Sequence, residues 1–154
     1  MLIVIDKMSA YTPKDVYDFA RNGDSTSLTA ALAISSNCSN WYTDDDGRNA
    51  LHKATTDINC VSILLNNGID VNSKDNVNKT ALSLAATHGR LECMELLLAN
   101  GADINNRNNY NYTALHYATI CAHETCLSLL LDKGAVIDDD INLYKTYYST
   151  RPNC

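Results

Sequence analysis

Histidine, cysteine and acidic side chains, which carry much of the acid–base and nucleophilic chemistry of enzymes, lie close together in residues 80–105. The stretch reads TALSLAATHGRLECMELLLANGADIN and contains His88, Glu92, Cys93 and Glu95. A nucleophilic cysteine needs an activating base such as histidine within hydrogen-bond distance. The same residue types also occur as framework positions of structural repeats. The stretch alone therefore leaves a catalytic and a structural interpretation open.

The elements that contain these residues recur along the chain, and the recurrence favours the structural interpretation. The tetrapeptides NALH, TALS and TALH begin at positions 49, 80 and 113, that is, 31 and then 33 residues apart. The segments SILLNNGIDVN, ELLLANGADIN and SLLLDKGAVID also recur. A spacing of 33 residues separates the glycines Gly68, Gly101 and Gly134, and also the cysteines Cys60, Cys93 and Cys126. Several motifs that share one period indicate an internal repeat.

Each unit has the pattern of two helices joined by a turn and followed by an extended loop. Thr80 is predicted to cap the first helix, its hydroxyl accepting a hydrogen bond from a helix N–H. Gly89 ends that helix, and Gly101 follows the second helix where a left-handed residue belongs. The second helix carries an apolar stripe at Leu91, Met94, Leu97 and Leu98. One unit cannot bury both helices alone, so the units are predicted to stack.

Helix pairs are predicted near 80–100 and 113–133. The preceding unit has two fewer residues between its leucine Leu51 and its glycine Gly68 than the next unit has between the equivalent positions. Its first helix is therefore predicted to be shorter and to lie near 49–56.

The stretch TALSLAATHGRLECMELLLANGADIN resembles an ankyrin repeat, whose family pattern is roughly G-x-TPLHLAA-x-x-G-x-x-E-V-V-x-LLL-x-x-GADVN. The resemblance implies an all-α solenoid of stacked helix-turn-helix units with projecting hairpin-like loops. It divides the chain into an N-terminal tail at 1–11, a degenerate capping repeat at 12–46, a repeat with a shortened inner helix at 47–77, repeats at 78–110 and 111–143, and a truncated fifth repeat or tail at 144–154.

The resemblance implies a framework role for the residues that suggested chemistry. His52 and His116 match the family's helix-start histidine, which is expected to bond to the backbone of a neighbouring loop. Cys60, Cys93 and Cys126 are expected to be buried free thiols, because stacked helices lie about 8–10 Å apart and a disulfide needs its Cα atoms within about 7 Å. No motif for a nucleophile, a phosphate or a metal emerges, so we expect no catalytic residue, no cofactor and no metal.

The acidic runs Asp44–Asp46 and Asp138–Asp140 do not fit the ligand spacing of a calcium loop. They are interpreted as solvated turn residues or, alternatively, as an acidic rim that steers a basic partner. Asn72 and Asn105 match an asparagine of the family that usually bonds across its own turn. Similar asparagines can be hydroxylated in animal cells, and the sequence leaves this modification open.

Composition limits the remaining functions. The 154 residues are 45% hydrophobic and 19% charged, as expected for a globular chain, and the net charge is −6. An acidic chain is a poor match for nucleic acid or for an anionic membrane, so neither is expected as a partner. The first residues lack the basic region of a signal peptide and the cysteines lack a CxxC pair. We therefore expect a reducing compartment, the cytoplasm or the nucleus.

The resemblance implies that a protein partner binds to the concave face and the loop tips, where the framework does not fix the residue types. The positions expected to contact it are Asp45, Asp46, Arg48, Val77, Lys79, His88, Tyr110, Tyr112 and Ile120. Self-association is a further expectation, because the side of the last full repeat that carries Leu127, Leu130 and Leu131 lacks a complete following unit.

These features predict a non-enzymatic protein–protein interaction module, either an adaptor or a scaffold. Two alternatives remain at this point. One is an inhibitor of a target enzyme such as a protein kinase, since a shortened inner helix in the second repeat also marks the small ankyrin inhibitors of cyclin-dependent kinases. The other is a pathogen protein that captures host factors.

Overall fold

The computed structural model describes residues 11–34, 42–139 and 141, and this part of the chain contains eight α-helices and no strand. The helices are α1 (Pro13–Asn22), α2 (Ser25–Ile34), α3 (Ala50–Ala54), α4 (Ile58–Asn66), α5 (Ala81–Thr87), α6 (Leu91–Ala99), α7 (Ala114–Ile120) and α8 (Glu124–Asp132). The helix pairs predicted near 80–100 and 113–133 are confirmed, and so is the short helix near 49–56.

The helices form two stacked rows. The inner row is α1, α3, α5 and α7, the outer row is α2, α4, α6 and α8, and each helix contacts its pair partner and the helices of adjacent pairs. The predicted all-α stack is thereby confirmed. The segments 12–46, 47–77, 78–110 and 111–143 each enclose one described pair, while their limits stay a prediction. The segments predicted as tails, 1–11 and 144–154, lie outside the described residues except for Tyr11, whose ring meets Phe19 edge-on at 5.8 Å.

The core consists of columns of equivalent residues. Leu51, Leu82 and Leu115 form the column of the inner row, and Leu64, Leu97 and Leu130 form that of the outer row. All six are at most 1% exposed. The cysteine column is also buried and unpaired, as predicted. Burial raises the pKa of Cys60 to about 12 and also raises the pKa of Cys93 and of Cys126, so these thiols stay protonated and pack as small apolar groups.

The predicted hydrogen bond at Thr80 is wrong, although Thr80 does precede α5 in extended conformation. Its hydroxyl lies 3.4 Å from the Ser83 hydroxyl and accepts no helix N–H. At the start of α3, by contrast, Asn49 Oδ1 accepts from the His52 N–H at 3.2 Å and His52 Nδ1 accepts from the Asn49 N–H at 3.2 Å. Ser83 carries no imidazole, so the reciprocal bond from the Asn49 N–H to His52 has no equivalent at the start of α5.

The turn after α3 differs from the other three turns. Gly23, Gly89 and Ala122 adopt left-handed backbone in the turns that follow α1, α5 and α7, with φ of +70°, +65° and +56°. Thr55, which follows the five-residue helix α3, has φ of −59° and continues in right-handed conformation. The two missing residues therefore remove both a part of the inner helix and the left-handed turn.

Candidate interaction surface

Three hairpin-like loops precede α3, α5 and α7, and one side-chain atom organises each of them. The Oδ1 atom of the first residue accepts hydrogen bonds from the backbone N–H groups two and four residues later, at 2.8–3.1 Å. These first residues are Asp44, Asp75 and Asn108. The sequence interpretation missed them, although they share a signal: each stands three residues before Gly47, Asn78 or Asn111, which all have positive φ.

The hairpin tips are also bonded to one another. The Asn76 N–H donates to the Asp46 carbonyl at 2.9 Å, and the Asn109 N–H donates to the Val77 carbonyl at 3.0 Å. The Asn76 side-chain amide donates to the Asp45 carbonyl at 2.8 Å. The three tips therefore form one continuous edge of the molecule, which we call the tip edge (residues 45–47, 76–78 and 109–111).

Three of the predicted contact residues are exposed along the tip edge. Asp45 and Asp46 are exposed at its N-terminal end. Tyr110 is 66% exposed at its C-terminal end, the largest exposure among the large apolar side chains of the described chain. Val77 lies between them and is half-buried. The edge thus carries an acidic end and an aromatic end.

The Arg48 side chain is engaged by two carboxylates of the protein itself. Its Nε atom lies 3.4 Å from the Asp75 carboxylate, which is 1% exposed, and its Nη1 atom lies 3.6 Å from the Asp46 carboxylate. The Arg48 side chain keeps 30% of its surface exposed. It therefore fixes the hairpin of Asp75 and offers a partner only a part of its charge.

Lys79 and Tyr112 also make internal contacts. Lys79 Nζ lies 5.0 Å from the centre of the Tyr117 ring, a cation–π distance. Tyr112 stacks on His116 at 5.3 Å and meets Tyr117 edge-on at 5.9 Å. The Tyr117 hydroxyl accepts from the Asn108 side-chain amide at 2.6 Å. This cluster supports the hairpin that displays Tyr110.

His88 and Ile120 lie at the ends of inner helices. His88 follows α5, is exposed, and donates from Nδ1 to the Leu84 carbonyl at 2.8 Å, which satisfies one of the last carbonyls of the helix. Ile120 is the last residue of α7 and is half-buried.

Asp44 is not the solvated turn residue that the sequence suggested. Its second carboxylate oxygen accepts from the Tyr17 hydroxyl at 2.7 Å and pairs with Lys53 Nζ at 3.0 Å. Burial opposes ionisation of Asp44, but hydrogen bonds from Tyr17, from the Arg48 backbone and from Lys53 outweigh it and lower the pKa of Asp44 to about 2. Burial, followed by the bond to Asp44, raises the pKa of Tyr17. This cluster joins α1 and α3 to the first hairpin.

Asp138 likewise makes side-chain contacts within the fold, one of them with His116. Arg107 Nη2 lies 2.9 Å from one Asp138 oxygen, and His116 Nε2 lies 3.2 Å from the other. His116 thus faces a carboxylate, and its expected bond to loop backbone stays a prediction, because residues 142 onward lie outside the described part of the chain. For His52 the expectation is confirmed, since Nε2 donates to the Lys79 carbonyl at 3.1 Å. Burial lowers the pKa of His52, which favours the neutral ring.

The sequence interpretation assumed that the side chains of Asn72 and Asn105 bond across their own turns, and this is wrong for the hydrogen bonds that the structure describes. The Asn72 amide donates to the Gly101 carbonyl at 3.1 Å and accepts from the Asp103 N–H at 2.7 Å. The Asn105 carbonyl oxygen accepts from the Val136 N–H at 2.9 Å. Both side chains therefore tie a loop to the equivalent loop of the next unit.

The residues of the opening stretch do not converge on a catalytic arrangement. Cys93 is 3% exposed in the outer helix α6, whereas His88 is turned to the end of the inner helix α5. Glu92 and Glu95 are exposed on α6. Within the described ranges, no group of three or more His, Cys, Asp or Glu side chains has a geometry suited to a metal ion.

Comparisons with known proteins agree with the fold. A family model described as ankyrin repeats, in three copies, matches residues 17–108 and 75–142. No curated protein matches the chain. Of the helices in the described part, none is both long and apolar enough to cross a bilayer. Ankyrin repeats generally mediate protein–protein interaction. The matched segments cover most of the chain, and the chain therefore belongs to the ankyrin repeat family.

Proposed function

We propose that this protein is a non-enzymatic interaction module, an adaptor or scaffold, that binds a protein partner through its concave face and its tip edge. The observation that carries the proposal is the tip edge itself. It is fixed by bonds between successive hairpins, yet it displays Tyr110 at 66% exposure and two exposed carboxylates. A rigid edge binds with a small loss of conformational entropy, and tyrosine is frequent among the residues that dominate binding energy.

The nine predicted contact residues divide into two groups in this proposal. The first group forms the contact surface. Within the part of the chain that the structure describes, its side chains make no hydrogen bond or ion pair beyond the long contact of Asp46 with Arg48; its members are Asp45, Asp46, Val77, Tyr110 and Ile120. Arg48, Lys79, His88 and Tyr112 are held by internal contacts and shape that surface. Partner atoms reach the second group only at its exposed parts.

The charge of the tip edge suggests the chemistry of the partner. Asp45 and Asp46 are exposed next to each other, and no described cation is closer to them than Arg48, at 3.6 Å from Asp46. We infer a partner with a basic segment that faces these carboxylates and an apolar group that faces Tyr110. We infer further that the encounter takes place in the cytoplasm or the nucleus, in agreement with the free cysteines.

Affinity capture from cell lysate with two variants and matched controls tests this function. Tyr110→Ala is expected to abolish capture of the specific partner, and Ile58→Ala, which trims an apolar side chain 39% exposed on α4, is expected to leave it intact. Asp45→Asn with Asp46→Asn is expected to weaken capture, whereas Glu92→Gln with Glu95→Gln on the outer row changes the charge equally and retains it.

The binding must then be reproduced with the purified partner. Equal capture by all four variants would contradict the assigned surface. Absence of any partner that binds in purified form would contradict the function.

An inhibitor of an enzyme such as a protein kinase is the second candidate. One observation favours it: α3 has only five residues, and the same shortening occurs in the second repeat of the small ankyrin inhibitors of cyclin-dependent kinases. A kinase among the captured proteins whose activity falls upon addition of the purified chain would support this candidate. Capture of partners without loss of any enzymatic activity would favour the adaptor.

We also infer a second surface, for self-association, at the last described helix pair. Val136 is 55% exposed and Ile137 is 46% exposed. Leu130, which the sequence placed on the open side, is fully buried, and Leu127 and Leu131 are half-buried. Of the apolar side chains described near this end, the most exposed therefore lie in the loop after α8.

A further inference from the structure

The residue that precedes an outer helix packs against the turn of the preceding pair at two of the three described junctions, and the third junction is different. Asp57, Arg90 and His123 are the equivalent residues before α4, α6 and α8. His123 Nε2 donates to the Thr87 carbonyl at 3.1 Å. The His123 ring also occupies the space beside Gly89, where an added Cβ would lie 2.7 Å from Nδ1. The fourth pair is therefore seated tightly on the third.

The first junction is also closed at its turns, although a cleft of about 640 Å³ lies between α2 and α4 farther along the outer row. The Asp57 side chain lies against Gly23, where an added Cβ would be 3.7 Å from its carboxylate oxygen, an ordinary contact distance. The other Asp57 oxygen accepts from the Cys60 N–H at 2.8 Å, which fixes the side chain. The turn of the second pair is thereby packed on the turn of the first.

The junction between the second and third pairs is open at this edge. Among the described residues, the Arg90 side chain forms no hydrogen bond or ion pair. A cleft of about 390 Å³ lies beside it, lined by Thr56, Asp57, Ile58, Gly89, Arg90, Leu91, Glu92 and Cys93. This is also the junction where the missing residue pair shortens the inner helix: α3 ends at Ala54, and the turn at Thr55 lacks the left-handed residue of the other turns.

The opposite edge of the same junction is firmly joined. His52 Nε2 donates to the Lys79 carbonyl at 3.1 Å, and the Asn76 N–H donates to the Asp46 carbonyl at 2.9 Å. The second and third helix pairs are thus joined by hydrogen bonds at the hairpin edge of the junction and separated by the cleft at its turn edge. In a stack whose stability is a sum of unit and interface contributions, the interface with the smaller contact is where cooperativity breaks first.

We propose that this junction is a weak joint that divides the stack into two cooperative units, α1–α4 and α5–α8. The joint opens from the turn edge, where the cleft already separates the pairs, and one unit unfolds while the other persists. A partner that contacts both Asp45 and Tyr110 spans the two units and would couple them. The inference itself does not depend on the proposed function.

Native-state hydrogen exchange at low denaturant tests the division. Buried amides of α3 and α4 are expected to share one opening free energy, and those of α5, α6 and α7 another, with protection factors that differ by about tenfold or more. A single common opening free energy across α3–α7 would overturn the proposal.

Two substitutions at equivalent positions provide a matched comparison. His123→Ala removes the contact that closes the last junction, so α8 is expected to lose protection relative to α5 and α6. Arg90→Ala removes a side chain that forms no hydrogen bond or ion pair with any described residue, and it is expected to leave every protection factor within about twofold. Equal effects of the two substitutions would overturn the proposal.

A rebuilt turn provides the converse test. Insertion of Ala-Thr after Ala54, together with Thr56→Gly, restores the helix length and the left-handed turn of the third pair. The two opening free energies are then expected to merge. Persistence of two separate openings in the folded insertion variant would exclude the missing residue pair as the cause of the weak joint, and the comparison of His123 with Arg90 remains decisive if that variant fails to fold.

Discussion

One position organises each of the three hairpins, and it is occupied by two residue types. The residues are Asp44, Asp75 and Asn108. Each supplies an Oδ1 atom that accepts two backbone N–H groups within its hairpin. An aspartate and an asparagine are equivalent for this purpose, because both carry a side-chain oxygen at the same distance from the backbone. The rest of each side chain makes a different contact. The second oxygen of Asp44 binds Tyr17 and Lys53. The second oxygen of Asp75 pairs with Arg48, and the amide of Asn108 donates to the Tyr117 hydroxyl.

Asp44→Asn is therefore expected to preserve the hairpin and remove only the charge. The folded-state pKa of about 2 lies below the ordinary value of 3.8, so the ionised carboxylate stabilises the fold at pH values above 3.8. That stabilisation declines as the pH falls through about 2. We expect the variant to be less stable by about 1–3 kcal/mol at pH 7, with the difference vanishing near the folded-state pKa.

Urea titrations of the wild type and the variant between pH 7 and pH 2 measure this difference. Asp45→Asn, at an exposed neighbouring carboxylate, is the control and is expected to change stability little at any pH. A difference that stays constant with pH would rule out the charge as its origin.

Gly89 is constrained twice, by its backbone and by its neighbour. Its φ of +65° is left-handed, and an added Cβ would collide with the His123 ring. Gly101 has φ of +87° and no atom within 4 Å of an added Cβ. Gly101→Ala is expected to cost about 1–2 kcal/mol for the left-handed backbone alone. Gly89→Ala is expected to cost about 1–3 kcal/mol more, because the ring must also move. Equal losses of unfolding free energy in Gly89→Ala and Gly101→Ala would show that the His123 ring moves aside at no cost in stability.

At the scale of the helix, the outer row depends on one fully buried leucine per helix. Leu97 on α6 is 0% exposed and lies between the equivalent residues Leu64 and Leu130. Leu97→Ala is expected to destabilise the protein by about 2–5 kcal/mol, because it removes buried apolar contacts and leaves a cavity. Urea unfolding measures the loss, with the exposed Ile58→Ala as control. A loss below about 1 kcal/mol would mean that the core closes over the cavity.

The loops between helix pairs contribute through amide groups that span two units. One asparagine side chain per unit, Asn72 or Asn105, makes hydrogen bonds to backbone groups of the next loop. In a regular sheet, the backbone of the neighbouring strand would make such bonds. The equivalent position after α8 is Asp138, which binds Arg107 and faces His116. The last described loop is thus held by the ion pair of Asp138 with Arg107 in addition to the bond from Val136 to Asn105.

At the scale of the whole molecule, the last loop is where the pattern of the repeat changes. Val136 occupies the position of Asp70 and Asp103, and it exposes 55% of its surface. Val136→Asp introduces the residue that the two earlier units already carry, so the fold is expected to retain its stability within about 0.5 kcal/mol.

We expect the wild type to self-associate with rising concentration in sedimentation velocity and the Val136→Asp variant to remain monomeric. The control Ile58→Ala alters an exposed apolar residue elsewhere and should associate as the wild type does. A wild-type protein that stays monomeric over the whole concentration series would refute association through this loop.

The sequence by itself determined the repeat, the two helices of each unit, the short α3 and the buried columns. These features follow from patterns within one unit: the spacing of leucines, the glycine after each outer helix and the two missing residues before Gly68. Local periodicity is sufficient for them, because helix formation and the choice of a buried face depend on residues three or four positions apart.

Only the tertiary structure decided which polar residues are available to a partner. Arg48 binds Asp75, 27 positions away, and Asn72 bonds to Gly101, 29 positions away. Tyr110 and Tyr112 are two residues apart in the sequence, yet the first is exposed and the second stacks on His116. Such contacts join neighbouring units, and their partners come within hydrogen-bond distance only when the units stack.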